Sequence, residues 1–383
     1  MSGNSKGWTS QRCENGPSVR IDRLQFSELK IPFKVAFRHA SAERAETETV
    51  WIEAAGDDGV VGRGESCPRE YVTGETIATA LTFFEQYNGE VRREATSLTA
   101  VRAWAAAHRD AIDANPAAWC AIELAVLDLM GKQSKATVET LLGLPPLAGQ
   151  VRYTAVLGDA QPAAFHAMAE RYRQTGFSDF KVKLSHDAER DREKLSVFQS
   201  WPAGSVRVRA DANNLWQRVD EAVEAVRSLR YPLFAIEEPI GQGRLRELSE
   251  LSRALACPMI LDESCTRRED LALLNDPPSQ WLINVRVSKM GGIVRALEVI
   301  EAARARGIRV IVGAQVGETS LLTRAALIVA RAAGESLVAQ EGAFGTFLLE
   351  RDVCDPPLMF GAGGILDVSR FPMLQRPGLG IGP

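Results

Sequence analysis

The chain lacks the features that mark membrane, secreted and nucleic-acid-binding proteins. It has no run of 18 apolar residues, so we expect no membrane-spanning helix and no membrane partner. Its first residues carry no apolar signal segment, which predicts a cytoplasmic location. The 45 basic and 49 acidic residues leave a net charge of −4, which argues against a nucleic-acid-binding surface.

Cysteine and histidine are too few and too scattered to indicate a metal or redox centre. The six cysteines, at positions 13, 67, 120, 257, 265 and 354, show neither a Cys-x-x-Cys pair nor a metal-ligand spacing. They are typical of reduced thiols in a cytoplasmic protein. No glycine-rich dinucleotide motif, phosphate loop or Ser-His-Asp arrangement is present. Nothing of this kind therefore competes with the lysines and carboxylates described next.

Two lysines on one predicted strand form the most informative pattern. In the segment 177–184, Lys181 and Lys183 alternate with apolar residues, so both side chains lie on one face of the strand. Burying two unpaired charges is costly, so a purely structural strand would rarely place them there. Neighbouring ammonium groups lower each other's proton affinity, which a catalytic base near neutral pH needs. The pattern therefore predicts catalysis rather than its alternative, an exposed edge strand.

Three carboxylates follow, each at the end of a short apolar run. Asp211, Glu237 and Asp262 lie 28, 26 and 25 residues apart, counted from Lys183. These steps are close to the roughly 30 residues of one strand-and-helix unit in a (β/α)8 barrel. The carboxylates would then converge at the C-terminal mouth of one barrel, where oxygen ligands suit a hard cation such as Mg2+.

Polar residues next to these carboxylates are expected to support the site rather than to bind the metal. Asn213 lies two residues after Asp211 and would point toward the same site. Glu238 and Glu263 have the opposite parity to the proposed ligands, so we expect solvated or supporting acids.

The order of these motifs resembles the enolase superfamily, and most closely its muconate-lactonizing subgroup. The resemblance extends from about residue 18 onward and is based on the segments Lys181-Val-Lys183, Asp211-Ala-Asn213, Ile236-Glu-Glu-Pro239, Asp262-Glu-Ser264, Lys289-Met-Gly-Gly292 and 313–320. It implies a modified (β/α)7β TIM barrel with an N-terminal α+β capping domain, and a homo-oligomer. It also implies Mg2+, with Mn2+ as a substitute, bound by Asp211, Glu237 and Asp262.

The resemblance further implies the chemistry, which is known for the superfamily: a lysine or histidine base and Mg2+ that stabilises an enediolate. The substrate would be a small-molecule carboxylate that loses its α-proton. Negative charge develops on the carboxylate, so a cation on its oxygens lowers the barrier. Lys183 would be the base, and Lys181 would lower its pKa and contact the substrate.

Four segments are expected along the chain. They are a flexible tail at 1–17, the capping domain at 18–148, the barrel at 149–350, and a segment at 351–383 that returns to the cap. A chain of 383 residues, 45% hydrophobic, is ample for a barrel of about 250 residues and a smaller domain.

The sixth predicted barrel strand departs from the family pattern. Its sequence, 283–292, puts Arg286 where racemases of the family carry a second lysine, with Lys289 three residues later on the other parity. Arginine is a poor acid or base because it keeps its proton in proteins. We therefore favour a one-base reaction, either a cycloisomerisation like that of muconate-lactonizing enzymes or an elimination, over racemisation.

Two alternatives stay open. A shifted register would let Lys289 act with Lys183 in a racemase or epimerase of N-acyl amino acids or dipeptides. Arg286 could also mark a homologue that binds metal and ligand without turnover.

Further residues are expected to contact the substrate at the barrel mouth. The family folds loops of its N-terminal domain over this mouth, which implicates Arg38, His39, Ser41 and Tyr71, with plain turn residues as the alternative. After the seventh and eighth strands, Gln315, Glu318 and Phe344 match family segments that face the substrate. Glu318 has a second interpretation, as an acid at the start of the helix beginning near Ser320.

Overall fold

A computed structural model describes residues 18–39 and 42–381, and it describes their side chains except those of 35–39, 42 and 43. The predicted tail at 1–17 and Ser41 lie outside the described residues. The side chains of Arg38 and His39 also lie outside them.

The N-terminal part combines antiparallel strands with helices. One sheet has the strand order β1-β4-β5, and β2 pairs with β3. The strands are β1 (Ile21–Leu29), β2 (Pro32–His39), β3 (Ala42–Glu46), β4 (Thr49–Gly56) and β5 (Val61–Ser66). The helices are α1 (Glu70–Thr73), α2 (Ile77–Glu94), α3 (Leu98–Ala107), α4 (Arg109–Ala114), α5 (Pro116–Ser134) and α6 (Val138–Leu141).

Helix α5 packs directly against β5. A Cβ atom at Gly62 or Gly64 would lie 2.1 or 1.9 Å from the carbonyl oxygens of Ala125 and Ala121, so only glycine permits this approach of strand and helix. Pro116 opens the helix at a first-turn position, where its missing N–H costs nothing.

Eight parallel strands form the second, larger sheet, and they are arranged in chain order. They follow β6 (Gln150–Arg152) and are β7 (Ala155–Leu157), β8 (Asp179–Lys183), β9 (Arg207–Asp211), β10 (Ala235–Glu237), β11 (Met259–Leu261), β12 (Trp281–Val285), β13 (Arg309–Val312) and β14 (Leu337–Gln340). The backbone N–H of Thr154 donates to the carbonyl of Gln340 at 2.8 Å, which joins the first strand to the last and closes the barrel.

Helices connect the barrel strands and cover their outer side. They are α7 (Pro162–Gln174), α8 (Ala188–Gln199), α9 (Val219–Ser228), α10 (Leu245–Leu255), α11 (Val287–Met290), α12 (Ile293–Ala305) and α13 (Ser320–Ala333). Between β11 and β12 the chain forms the 3-10 turns Arg268–Leu273 instead of an α-helix. The predicted (β/α)7β barrel with an α+β cap is confirmed.

The cap and the C-terminal segment both pack on the barrel. Glu123 of α5 accepts a hydrogen bond from the backbone N–H of Val294 in α12 at 3.1 Å. Strand β15 (Ile365–Asp367) pairs with β6, and the N–H of Leu379 donates to Asp128 of α5 at 2.7 Å. The last segment therefore contacts the cap, while the residue boundaries of the four segments stay a prediction. Among the described residues, no helix combines the length and apolar character needed to cross a membrane.

Candidate active site

The strand register brings the predicted site together at the C-terminal mouth of the barrel. Lys183 at the end of β8 pairs with Asp211 at the end of β9, and Asp211 pairs with Glu237 at the end of β10. Asp262 directly follows β11. Because carboxyl ends of parallel strands meet at one edge, the lysine and the three carboxylates lie side by side.

Lys183 is the more accessible of the two strand lysines. Its Nζ donates to Asp211 Oδ2 at 2.6 Å and to Asn213 Oδ1 at 2.7 Å, and 16% of its side chain is exposed. Asn213 has a φ of 45°, a left-handed conformation that asparagine tolerates, and its N–H donates to Asp211 Oδ1. This turn places the Asn213 amide beside Lys183.

Lys181 lies deeper, among three carboxylates. Its Nζ is 2.8 Å from Glu237 Oε2, 3.0 Å from Asp211 Oδ2 and 3.3 Å from Glu341 Oε2. Burial alone lowers the pKa of Lys181, but these carboxylates outweigh burial and hold that pKa well above its ordinary value. The expected lowering of each lysine's proton affinity by the other is therefore wrong for Lys181, because the carboxylates come from other strands. Lys181 is a fixed cation.

The three carboxylates fit a hard divalent cation in donor type and in charge. All are buried, and Glu237 Oε2 accepts no well-aligned hydrogen bond although the Lys181 ammonium lies 2.8 Å away. Burial and the neighbouring charge of Asp211 raise the pKa of Glu237 to about 8. For Asp211, Lys181 and Lys183 outweigh burial and lower the pKa. A cation bound here would relieve the repulsion between these carboxylates.

In the present arrangement the carboxylates face side-chain cations instead. Within the described part of the chain, no three His, Cys, Asp or Glu side chains form a ready metal-binding group. Asp211 pairs with the two strand lysines, and Asp262 pairs with Arg286 and with Lys289 at 3.0 Å. Asp211, Glu237 and Asp262 are the residues that would hold Mg2+.

Arg286 lies across the barrel from Lys183. It directly follows β12, which is four strands from β8 in a sheet of eight, and therefore on the opposite wall of the barrel. Its guanidinium donates to Asp262 Oδ2 and to Gln315 Oε1, the latter at 2.9 Å. Burial lowers its pKa, but Asp262 and Glu237 more than offset this and raise it above the ordinary value. Arg286 therefore stays charged.

Lys289 is directed at the protein backbone. It lies on α11, is buried, and its Nζ donates to the carbonyl oxygens of Asp262, Asn284 and Cys265 at 2.6, 2.7 and 3.0 Å. These bonds hold the turns after β11 and β12 together. The geometry gives Lys289 a supporting place beneath the site. It lies on a helical turn and not on the strand, so the strand parity expected from the sequence does not apply to it.

Two charged residues beside the site were not identified from the sequence. Glu341 directly follows β14, is buried, and bonds both Lys181 and Arg209, the latter at 3.0 Å. Arg209 lies two residues before Asp211 on the same face of β9 and also donates to Asp179. The strand-end rule that identified Asp262 would have found Glu341, because both acids follow the last residue of a strand.

The two acids of opposite parity are buried rather than solvated. Glu238 Oε1 accepts the backbone N–H groups of Asp262 and Ser264, both at 2.7 Å, so it supports the turn that carries Asp262. Glu263 Oε2 accepts no hydrogen bond, and burial raises the pKa of Glu263 well above its ordinary value.

The remaining predicted contacts occupy different places. Gln315 adjoins Arg286, and its N–H donates to Glu318 Oε1 at 2.6 Å. Burial raises the pKa of Glu318 to about 8. The helix cap expected of Glu318 is supplied by Thr319, whose hydroxyl accepts the N–H of Leu321.

Tyr71 and Phe344 make contacts of a different kind. Tyr71 lines a cavity of about 250 Å³ between the cap and the barrel loops, together with Gln242 and Thr266. Phe344 packs edge-on against Phe360, with ring centroids 5.3 Å apart.

Comparison with known proteins gives matches over nearly the whole chain. Residues 22–143 match the mandelate racemase / muconate lactonizing enzyme N-terminal domain, and residues 164–383 match the enolase C-terminal domain-like family. The hydrophobic dipeptide epimerase of Enterococcus faecalis is 26% identical, and the alignment covers 95% of this chain and 99% of that protein.

Two solved structures share the fold. The dipeptide epimerase of Enterococcus faecalis, in complex with Mg and L-Leu-L-Tyr, has a TM-score of 0.82 and 25% identity over 96% of this chain and 100% of its own. The muconate lactonizing enzyme of Mycobacterium smegmatis, in complex with muconolactone, has a TM-score of 0.80 and 25% identity over 95% and 96%.

Proposed function

The chain belongs to the mandelate racemase / muconate lactonizing enzyme family, and from this membership we propose the reaction that it catalyses. It is an isomerase-type enzyme with Mg2+ as its cofactor. We propose that it epimerises a dipeptide or an N-acyl amino acid at the α-carbon next to the carboxylate. The epimerase relatives support this alternative better than the cycloisomerase that we favoured from the sequence.

The position of Lys183 is the observation that carries the proposal. Its ammonium is held by Asp211 and Asn213 at the rim of the barrel mouth, and its side chain is more exposed than that of Lys181, which is 4% exposed. We assign Lys183 as the base that removes the α-proton from one face of the substrate.

Several fixed charges favour ionisation of the substrate. Mg2+ bound by Asp211, Glu237 and Asp262 would supply positive charge to the substrate carboxylate, which makes the α-proton more acidic. Lys181 adds a second charge that stays in place because three carboxylates hold it. Such preorganised charges cost no reorganisation when the proton leaves.

Epimerisation also needs a proton donor on the face opposite to Lys183. Arg286 is on that side, but Asp262 and Glu237 raise its pKa. It therefore stays protonated, and it would stabilise negative charge on the substrate rather than exchange protons. Glu318 is connected to Arg286 through Gln315, and its pKa of about 8 suits proton transfer near neutral pH. We assign the second proton transfer to Glu318.

Hydrogen-deuterium exchange tests the proposal directly. With Mg2+ in D2O, L-Leu-L-Tyr and L-Leu-D-Tyr should both take up deuterium at the tyrosine α-carbon and interconvert, as followed by NMR. Exchange from a single epimer without interconversion would contradict an epimerase.

A one-base enzyme is the second candidate, because Arg286 stands where a second lysine is expected. Such an enzyme would exchange one epimer only, or act on muconolactone-type or dehydratable acids. A screen of these acids with the same exchange assay separates the two candidates.

A further inference from the structure

Lys194 of α8 is a buried lysine that reaches the backbone of the proposed base. Its Nζ donates to the carbonyl oxygen of Lys183 at 2.9 Å. The same ammonium lies 2.6 Å from Asp191 Oδ1 and 2.9 Å from Asp159 Oδ1. Two hydrogen bonds and one ion pair therefore give this ammonium three oxygen partners.

The turn after Lys183 is held by the same network. Asp191 Oδ2 accepts the N–H of Ser185 at 2.7 Å, and Asp191 Oδ1 accepts its hydroxyl at 3.0 Å. The N–H of Leu184 donates to the carbonyl of Asp211 at 2.9 Å. The backbone that follows Lys183 is therefore tied to α8 on one side and to β9 on the other.

The network also crosses to the preceding barrel loop. Asp159 follows β7, and Arg190 of α8 binds its second oxygen at 2.8 Å. Burying an ammonium costs free energy, and an apolar side chain of similar length would pack here without needing two acids. Packing alone therefore does not account for a lysine at position 194.

We propose that Lys194 is a positioning residue for the proposed reaction. Its bond to the carbonyl of Lys183 fixes the end of β8, so that the Lys183 ammonium remains beside Asp211 and Asn213. The inference depends on the proposed function, in which Lys183 is the base. It assigns no contact between Lys194 and the substrate.

Three variants separate positioning from stability. Lys194→Met removes the bond, and Lys194→Arg retains a cation that can donate to the same carbonyl. The matched control is Arg324→Met, because Arg324 is also a fully buried cation on a barrel helix. Arg324 pairs with Glu139 at 2.6 Å and donates to the carbonyl of Leu379 at 3.0 Å, with no contact to Lys183.

Steady-state kinetics and thermal unfolding of the Mg2+-loaded variants give the first readout. A displacement of about 1 Å costs on the order of 100-fold in rate, so Lys194→Met should lower kcat by about that factor while KM stays within about threefold. Lys194→Arg should recover part of kcat. Arg324→Met should lower Tm while kcat stays at the wild-type value. A wild-type kcat in Lys194→Met, or an equal loss in Arg324→Met, overturns the inference.

Crystal structures of the two Lys194 variants give a readout that needs no activity. In Lys194→Met, Lys183 Nζ should leave hydrogen-bond distance of Asp211 and Asn213, and in Lys194→Arg it should remain. If Lys183 keeps both bonds in Lys194→Met, the inference fails.

If wild-type protein exchanges no α-proton from any carboxylate tested, the proposed function fails, and these structures still decide the inference. Should Lys194→Met not fold, Asp159→Ala removes one acceptor of Lys194 at a residue whose side chain is 40% exposed, and Lys183 must then shift in its structure.

Discussion

The two sides of the barrel mouth differ in what their cations can do. On the β8 side, Lys183 is partly exposed and bonded to one carboxylate and one amide. On the β12 side, Arg286 is buried against Asp262 and Gln315, and its raised pKa keeps it charged. One wall therefore carries the proposed base, and the opposite wall carries a fixed charge. Under the proposed epimerisation, proton transfer on the second face would depend on a neighbour of the arginine.

Replacing the proposed base should have the largest effect. General acid–base catalysis contributes about 10²–10⁴-fold, so Lys183→Ala should lower α-proton exchange by about 10³-fold or more. Lys183→Arg keeps the charge without a usable base and should be equally inactive. Deuterium uptake by both epimers measures the loss, and thermal unfolding checks that the fold persists. Exchange near the wild-type rate in either variant would remove Lys183 from its role.

Removing Lys181, the fixed cation on the β8 side of the barrel mouth, should have the next largest effect. Lys181→Met removes a positive charge that lies beside three buried carboxylates. Without Mg2+, the free energy of unfolding should therefore fall by about 3–5 kcal/mol. Exchange should fall by about 100-fold, as for other preorganised charges. Chemical denaturation with and without Mg2+ measures the first quantity, and added Mg2+ should restore part of it. Unchanged stability would mean that Lys181 does not compensate these acids.

The opposite wall is tested through Glu318, whose pKa is about 8. Only the carboxylate can accept a proton, so removal of the α-proton that faces Arg286 should rise with pH through about 8. Delivery of a proton to that face should fall over the same range, because it needs the carboxylic acid. Glu318→Gln should abolish this pH dependence and slow interconversion by about 10-fold or more, with exchange on the Lys183 face retained. A pH profile identical to that of the wild type would exclude Glu318.

Arg286→Lys should have the smallest effect. It would place a lysine on each side of the barrel mouth. A lysine at this position could exchange protons directly, so exchange of the epimer whose α-proton faces residue 286 should rise by about 10-fold. The matched variant Arg286→Met, which removes the charge, should slow exchange on both faces. A loss in Arg286→Lys as large as that in Arg286→Met would show that the guanidinium itself is required.

Much of the fold and of one wall could be predicted because the signals are local. Asp211, Glu237 and Asp262 each end a short apolar run, and even spacing along the chain places strand ends side by side. Arg286 directly follows β12, whereas Lys289, which alternation had assigned to the strand, lies on the helix α11, where strand parity does not apply.

What could not be predicted depends on contacts between distant parts of the chain. The raised pKa of Lys181 results from acids at the ends of three other strands, including Glu341, which is 160 residues away. The bonds of Lys194 to Asp159 and to the carbonyl of Lys183 likewise join three different elements. Sequence alternation orients a side chain, but it does not reveal which partners set its charge.

A crystal structure with Mg2+ and L-Leu-L-Tyr tests the central claim most directly, because it shows both walls around one α-carbon. The account predicts Mg2+ bound by Asp211, Glu237 and Asp262, Lys183 Nζ about 3–3.5 Å from the α-carbon, and Arg286 on the opposite side. A substrate whose α-carbon lies nearer to Lys289 than to Lys183, or a metal ion held by other residues, would contradict it.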